Sequence, residues 1–176
     1  MRLVVGDEYG VLRAVAKPPK QPWDSAAADT KQGTSEKTRA VTSLSSADTQ
    51  PAFLIATRAD GSVTCHEPST LGELFQLPGE GTGKAVYAGV VHGSGDAAVA
   101  VASENGCIRQ YQVTQGSKGC LKQSGITFET GKDLTCCQFS CEKPVASIGS
   151  IGKEATVWDL QNGMHFPPPS LSIYIE

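Results

Sequence analysis

The side chains best suited to chemistry in this sequence are its six cysteines and three histidines. Cys136, Cys137 and Cys141 form the closest group, and a Cys-x3-Cys spacing is one half of a zinc-binding pattern. A structural zinc site needs two such pairs, and neither a second pair nor a histidine follows this one closely. We therefore predict reduced thiols that fill strand positions, and no metal site.

The histidines do not indicate a catalytic arrangement. His66, His92 and His165 are scattered, and no Ser or Cys has the surroundings of a nucleophile. Cys65 and His66 are neighbours on a predicted strand, so their side chains point to opposite faces. Cys137 could approach His92 in space, but nothing in the pattern requires it. The prediction is a protein that is not an enzyme and holds no cofactor, and an enzyme remains the third alternative.

A glycine-rich stretch, PGEGTGK at positions 78–84, resembles a phosphate-binding loop. The Walker pattern has four residues between its first glycine and the Gly-Lys pair, followed by Ser or Thr. Here only three residues separate Gly79 from Gly83, and Ala85 follows the lysine. The stretch also lies between two predicted strands, without a helix whose N-terminus would face a phosphate. We interpret it as a connecting loop.

Composition excludes several classes of function. Lys and Arg number 15 against 18 Asp and Glu, for a net charge of −3, so the chain lacks the basic character of a nucleic-acid-binding domain. It has no apolar run of the length that crosses a membrane. Asp7 and Glu8 follow only three apolar residues, which is too short for a secretory signal. We predict neither a membrane nor a small-molecule substrate as partner.

The elements that position these residues follow a fourfold repeat of strand, tight turn and strand. The copies are VVGDEYGVLRAV (4–15), LIATRADGSVTC (54–65), VAVASENGCIRQYQV (99–113) and VASIGSIGKEATVWDL (145–160). The turn glycines Gly10, Gly61 and Gly106 lie 51 and 45 residues apart, and the fourth turn, at 152–154, follows 46 to 48 residues later. A period of about 40–45 residues with paired strands is typical of WD-repeat propeller blades. The predicted fold is an all-β propeller.

Local chemistry supports each turn. Asp60-Gly61 and Asn105-Gly106 are the dipeptides that most readily adopt the positive φ of a hairpin loop, and Tyr9-Gly10 is a weaker version. Further strands are predicted before and after the pairs because these segments are rich in β-branched or small apolar residues. The predicted inner strands lie within 38–46, 84–92 and 133–140, and the predicted outer strands within 72–77 and 120–128.

One dipeptide marks the phase of the repeat. Trp158-Asp159 ends the second strand of the fourth copy, and alignment on the turns places Tyr111, His66 and Val15 at the tryptophan position. A large ring there is expected to pack between adjacent blades, so we assign a structural role to Tyr111, Trp158, Asp159 and the three turn glycines. No sequence motif marks catalytic, cofactor-binding, metal-binding or partner-binding residues.

The predicted boundaries place propeller blades at 1–163 and a divergent tail at 164–176. Residues 17–38 are rich in Pro, Ser, Thr, Ala and charge, which indicates a flexible insertion with Trp23 as a surface anchor. The three prolines 167–169 interrupt the pattern, and 171–175 could form one more strand or belong to a foreign tail. Propellers have about four to eight blades. Four copies are therefore expected to be the N-terminal part of a larger ring, with a complete four-bladed ring as the alternative.

A family resemblance emerges from the order of these segments. VVGDEYGVLRAV, ATRADGSVTCHE, ASENGCIRQYQV and KEATVWDLQNG, together with the connector LPGEGTGKAVYAGVV, resemble the N-terminal blades of eukaryotic nucleolar WD-repeat proteins of large-ribosomal-subunit assembly. The resemblance runs from about residue 3 to about residue 163 and rests on order and spacing. It implies a seven-bladed ring, of which this chain would supply about four blades, and a basic tail that this chain does not show.

The resemblance also implies a function. It predicts a non-catalytic scaffold in the nucleus and nucleolus that acts in large-subunit pre-ribosome assembly and rRNA processing. The implied partners are pre-ribosomal large-subunit proteins, with rRNA as a further candidate and an AAA-type ATPase as release factor. The alternative is a generic WD-repeat adaptor, for example in ubiquitin ligation or trafficking, because fold does not set function.

Overall fold

Four antiparallel sheets follow one another along the chain, and we number them as blades 1 to 4. The computed structural model describes residues 2–16, 20, 27–32, 35–47, 53–79, 83–92, 97–113, 121–131, 133–140, 145–150, 155–162 and 164–166. Within these ranges blade 1 has three strands and the other blades have four each.

Each blade is a simple meander in which neighbouring strands are also neighbours in the chain. Blade 1 contains β1 (Arg2–Gly6), β2 (Leu12–Ala16) and β3 (Ala27–Gln32). Blade 2 contains β4 (Val41–Ala47), β5 (Phe53–Arg58), β6 (Val63–His66) and β7 (Glu73–Leu77). Blade 3 contains β8 (Ala85–His92), β9 (Ala97–Ser103), β10 (Cys107–Val113) and β11 (Leu121–Glu129). Blade 4 contains β12 (Cys136–Phe139), β13 (Val145–Gly149), β14 (Thr156–Asp159) and β15 (Met164–Phe166).

The predicted all-β fold is confirmed, and the repeat corresponds to its central hairpins. The four repeated pairs are β1–β2, β5–β6, β9–β10 and β13–β14, each antiparallel. The predicted inner strands correspond to β4, β8 and β12, and the two predicted outer strands to β7 and β11. The periodicity predicted these elements because strand alternation and turn chemistry are both local properties.

Two stretches differ from the expected boundaries. The composition of residues 17–38 predicts a flexible insertion, whereas β3 lies inside this segment and pairs with β2 across a bulge between Ala14 and Val15. β15 occupies the first residues of the expected tail and pairs with β14, so the fourth blade extends past residue 163. Both are edge strands, which need only backbone hydrogen bonds on one side and so lack a strong apolar pattern. Trp23 and residues 167–176 lie outside the described residues.

The core lies between the blades rather than within any one of them. Side chains that alternate along each strand cover two faces, and each face packs on a neighbouring sheet. β5 is buried at every residue because blade 1 covers one face and blade 3 the other. Among the residues that the structure describes, an apolar cluster lies at each contact between blades. These clusters are centred on Leu12, Leu54 and Leu71 between blades 1 and 2, on Ile55, Val99 and Tyr111 between blades 2 and 3, and on Ile108, Phe139 and Ile148 between blades 3 and 4.

Candidate interaction site

The turn glycines have the backbone geometry that their sequence context predicts. Gly10, Gly61 and Gly106 have φ angles of +81°, +83° and +89°, in the left-handed region that side chains rarely adopt. Space is also limited at Gly61, where an added Cβ would lie 2.7 Å from the carbonyl oxygen of Gly83. The glycine therefore permits both the turn and the close approach of the next connector.

These turns and the connectors between blades meet at one end of the sheets, which we call the turn end. Backbone hydrogen bonds join turns to connectors. Two of them cross from one blade to the next, Val41 N–H to Asp7 O over 3.0 Å and Leu134 N–H to Glu104 O over 2.8 Å. A third, Glu104 N–H to Lys84 O over 2.9 Å, joins the turn of blade 3 to the connector that leads into it. Each bond joins the backbone of a turn to the backbone of a connector. The turn end is therefore a continuous surface held by backbone pairing, and its side chains are presented by fixed loops.

The side chains at the turn end are suited to contact with another protein. Tyr9 exposes 42% of its surface, while its backbone N–H donates to Asp7 Oδ1 and its carbonyl accepts from Glu36 N–H. Glu8 is an exposed acidic residue of the same turn, whereas the carboxylate of Asp60 in the next turn pairs with Arg39 over 3.4 Å. Tyrosine is among the residue types that are enriched at interaction hot spots.

Four residues at the tryptophan position of the repeat share one orientation. Trp158 is directly opposite Ala146 and packs on the cluster shared with blade 3, and Tyr111 belongs to the cluster shared with blade 2. His66 is opposite Leu54, which packs against blade 1. Each of these rings therefore faces the preceding blade. Val15, the fourth member, is opposite the exposed Leu3 on the outer face of blade 1.

The ring at this position also makes a repeated hydrogen bond. Trp158 Nε1–H donates to Thr156 Oγ1 over 3.1 Å, and His66 Nε2 lies 2.9 Å from Thr64 Oγ1. In both blades the hydroxyl is two residues before the ring, on the same face of the strand. Asp159 closes the next turn, where its carboxylate accepts from the Gln161 backbone N–H over 2.8 Å. This bond is the main cause that lowers the pKa of Asp159.

The His66 contact is part of a buried polar chain between blades 1 and 2. Arg58 is only 4% exposed, and its guanidinium donates to Gly10 O over 2.6 Å and to Thr64 Oγ1 over 3.3 Å. His66 Nδ1 lies 3.0 Å from the carbonyl oxygen of Leu71. Because Gly10 belongs to blade 1 and Arg58 to blade 2, these hydrogen bonds hold the first two blades together at the turn end.

Donor and acceptor roles in this chain follow from the carbonyl at its end. Leu71 O can only accept, so His66 Nδ1 carries the proton and neutral His66 accepts at Nε2 from the Thr64 hydroxyl. The Thr64 hydroxyl oxygen then accepts from Arg58. All the hydrogen bonds therefore donate in one direction, from Arg58 through Thr64 and His66 to the carbonyl of Leu71. Burial is the main cause that lowers the pKa of His66, and the Arg58 cation lowers it further. Sequence reasoning missed Arg58 and Thr64, because neither forms a motif and their partner Gly10 is 48 residues away.

The residues first considered for chemistry are distributed over separate places. Cys65 is buried in a strand, and burial raises the pKa of its thiol. Burial likewise raises the pKa of Cys137 to about 12, whereas its neighbour Cys136 is exposed. Cys141 and the side chains of His92 and His165 lie outside the described residues. Within the part of the chain that the structure describes, no three His, Cys, Asp or Glu side chains are grouped so that they could hold a metal ion.

The glycine-rich stretch is a connector between blades. Gly79 and Gly83 lie between β7 and β8, and both contact the Asp60-Gly61 turn closely. Their role here is therefore to pass beside that turn. No helix in the described residues has the length and apolar character required to span a membrane.

Comparison with solved structures agrees with this architecture. The β-propeller domain of Myceliophteria thermophila Cps50 (Swd1) matches with a TM-score of 0.67 and 12% identity, over 94% of this chain and 56% of that one. The C-terminal WD40 domain of Sif2 matches with a TM-score of 0.64 and 16% identity, over 91% of this chain and 40% of that one. The fold is that of a WD40 β-propeller. The computationally designed Ika8 protein also matches, with a TM-score of 0.61 and 16% identity, over 93% of this chain and 44% of that one.

The share of each solved propeller that is matched indicates how much of a propeller ring this chain forms. The chain spans between 40% and 56% of the length of the propellers it matches, in agreement with four consecutive blades of a larger ring. No protein-family model matches the sequence, and no curated protein matches it. At 12% to 16% identity the likeness to the solved structures concerns the fold.

Proposed function

We propose that this protein is a non-catalytic WD-repeat scaffold that acts in assembly of the large ribosomal subunit and in rRNA processing, in the nucleus and nucleolus. The observation that carries the scaffold part is the turn end, where turns and connectors of successive blades are joined by backbone hydrogen bonds. Fixed loops that converge on one surface suit binding of large partners. The ribosomal part rests on the ordered resemblance of the four repeats and their connector to nucleolar WD-repeat assembly proteins.

The proposed partners are pre-ribosomal large-subunit proteins that contact the turn end. Tyr9 would supply an aromatic anchor, and the exposed carboxylate of Glu8 beside it favours basic protein surfaces, which are common among proteins that bind rRNA. We include rRNA as a further partner on the same resemblance. Release by an AAA-type ATPase is proposed on the resemblance alone.

The test is affinity purification of the tagged chain from nuclear extract, followed by mass spectrometry. We expect enrichment of large-subunit pre-ribosomal proteins, and their loss from the bait when ATP is supplied. Tyr9→Ala should lower the recovery about fivefold or more, as removal of an interface anchor does. Leu74→Ala is the matched control, because Leu74 is 43% exposed on the outer strand β7, away from the turn end, and should leave the recovery unchanged.

Two outcomes would contradict the proposal in different ways. Purification of the tagged chain without pre-ribosomal proteins would contradict the proposed role in ribosome assembly. Recovery of ubiquitin-ligase or trafficking proteins, with the tagged chain diffuse in the cytoplasm, would support the adaptor alternative instead. Equal recovery with Tyr9→Ala and Leu74→Ala would show that the turn end is not the surface in use.

A further inference from the structure

The interface between blades 1 and 2 has a titratable ring at its centre, unlike the interfaces that follow it. Blades 3 and 4 place Tyr111 and Trp158 against the preceding blade, and neither ring changes its charge in neutral or mildly acidic solution. Blade 2 places His66 at the same position, 1% exposed, and imidazole is the side chain that ionises in this range. Mild acid can therefore charge this interface and leave the next two uncharged.

The hydrogen bonds of His66 require its neutral form. Nδ1–H donates to Leu71 O over 3.0 Å, and Nε2 accepts from the Thr64 hydroxyl over 2.9 Å. A proton on Nε2 would point at the same Thr64 oxygen that accepts from Arg58 over 3.3 Å. Two cations would then share one buried hydroxyl, whose own hydrogen would lose its acceptor. Protonation thus breaks the bond from Thr64 to His66 and sets like charges on both sides of Thr64.

The charged groups around His66 compensate little for a second cation. Burial is the main cause that lowers the pKa of His66, while its bond to the Leu71 carbonyl and the charge of Glu73 oppose that shift, and Arg58 on β5 adds to it. Glu73 is the cross-strand partner on β7, but it is exposed. Glu67, in the loop after β6, is also exposed and accepts from two hydroxyls of its own loop. Blade 1 packs apolar side chains on this interface, namely Val4, Leu12 and Ala14.

Arg58 connects this ring to the turn end. Its guanidinium donates to Gly10 O over 2.6 Å, in the turn that carries Tyr9. Its Nε is buried without a hydrogen-bond partner among the described residues, so the cation depends on the few oxygens that it reaches. The same turn is joined to blade 2 by Val41 N–H, which donates to Asp7 O over 3.0 Å. A guanidinium repelled from Thr64 therefore also loosens the turn of blade 1.

We propose that protonation of His66 opens the interface between blades 1 and 2 and releases the turn that carries Tyr9, while the interfaces of blades 2, 3 and 4 stay closed. The fold thereby contains an acid-sensitive element that controls how one part of the turn end is presented. Opening exposes the imidazole to water, where its pKa returns to about 6.5 and the proton binds readily. Because opening is a property of the chain alone, it goes beyond the proposed function and does not depend on it.

The test is hydrogen exchange of the full chain followed by NMR from about pH 7.5 to about pH 5, with protection factors corrected for the intrinsic pH dependence of exchange. One proton is taken up on opening, so the opening constant should rise close to tenfold per pH unit between about pH 6.5 and the lower folded-state pKa. We expect this loss of protection at the Val41 amide and at the Glu36 amide, which donates to Tyr9 O over 2.8 Å. The Leu134 amide, between blades 3 and 4, should keep its protection.

Three variants separate the imidazole from other causes. His66→Gln retains a donor and an acceptor but does not titrate, so protection of the Val41 amide should become independent of pH over this range. His165→Gln is the matched control, because it removes a histidine from β15 in blade 4, and the loss should persist. Arg58→Met removes the cation that repels the imidazolium, and the loss per pH unit should become smaller.

Three results would overturn the proposal. Unchanged protection of the Val41 amide down to about pH 5 would show that acid leaves the interface closed. The same loss in the wild-type chain and in His66→Gln would assign it to another titratable group. Parallel loss at the Val41 and Leu134 amides would mean that the whole chain unfolds rather than one interface opening.

Discussion

The buried guanidinium of Arg58 provides the most direct test of how the first two blades are joined. We consider Arg58→Met, which replaces the side chain by an apolar one of similar length and so avoids a large cavity. Three hydrogen bonds are lost, to Gly10 O at 2.6 Å, to Arg39 O at 3.3 Å and to Thr64 Oγ1 at 3.3 Å. Gly10 and Arg39 belong to the turn and the connector on the blade 1 side.

The magnitude follows from two opposing contributions. Hydrogen bonds from a charged donor contribute about 1.5–3 kcal/mol each, and the two bonds of 3.3 Å are long enough to fall below that range. Burial of the cation costs several kcal/mol, a cost that methionine does not carry. Methionine also leaves the Gly10 and Arg39 carbonyls without this donor, and a buried acceptor left unsatisfied costs about 1–3 kcal/mol. Together these losses exceed the relief of burial, and we expect a net loss of about 2 kcal/mol in the free energy of unfolding. For a chain of this size that corresponds to a melting temperature lower by roughly 4–8 °C.

The assay is thermal and urea unfolding followed by circular dichroism, with hydrogen exchange to locate the effect. The Val41 amide, which donates to Asp7 O across blades 1 and 2, should exchange faster in Arg58→Met. The Leu134 amide, which donates to Glu104 O across blades 3 and 4, should be unchanged. Arg13→Met is the control, because the Arg13 side chain is 49% exposed and its ion pair with Asp7 is 3.7 Å long. A loss below about 0.5 kcal/mol in Arg58→Met, similar to the control, would refute the reasoning.

Three further changes test other parts of the structure. Because burial lowers the folded-state pKa of His66 below its ordinary 6.5, the unfolded chain binds this proton first. The free energy of unfolding that His66 contributes is therefore fully present above about pH 6.5 and is lost as the pH falls toward the lower folded-state pKa. His66→Gln should remove this part of the pH dependence, measured by urea unfolding at several pH values. Gly61→Ala should cost more than Gly131→Ala: an added Cβ lies 2.7 Å from Gly83 O at the first site and within 4 Å of nothing at the second, although both have positive φ. Similar urea midpoints for these two variants would contradict the close approach. Trp158→Ala should lower the free energy of unfolding by about 2–4 kcal/mol, because the ring is partly buried against blade 3. Trp158→Phe keeps most of that packing and loses one hydrogen bond, so it should cost about 1 kcal/mol. An unchanged urea midpoint for Trp158→Ala would mean that blade 3 does not cover the ring.

Prediction from the residues succeeded where a local rule applied. The hairpins around Gly10, Gly61 and Gly106 could be predicted because each combines alternating strands with a turn that requires positive φ. The outer strands β3 and β15 could not, since an edge strand has one hydrogen-bonded side and few buried side chains to leave a pattern. The composition of residues 17–38 therefore indicated flexibility where part of the segment pairs with β2.

The candidate sites show a sharper division. The turn positions were marked by their residue types, whereas the hydrogen-bonded side chains from Arg58 to His66 were not. Arg58 and Gly10 are 48 residues apart and meet because blade 2 packs on blade 1. No spacing within the chain indicates such contacts, because they depend on the placement of whole sheets.

The residues alone were sufficient for the number of repeats, their order and the positions of their turns, since the two-residue alternation of strands and the φ preference of glycine act over a few residues. The contacts between blades depended on the packing of one sheet on the next. It set Trp158, Tyr111 and His66 against the preceding blade, and it brought a guanidinium, a hydroxyl and an imidazole into one buried chain. Such contacts arise between residues about one blade apart in sequence, and their energies depend on burial that exists only once neighbouring sheets are in place.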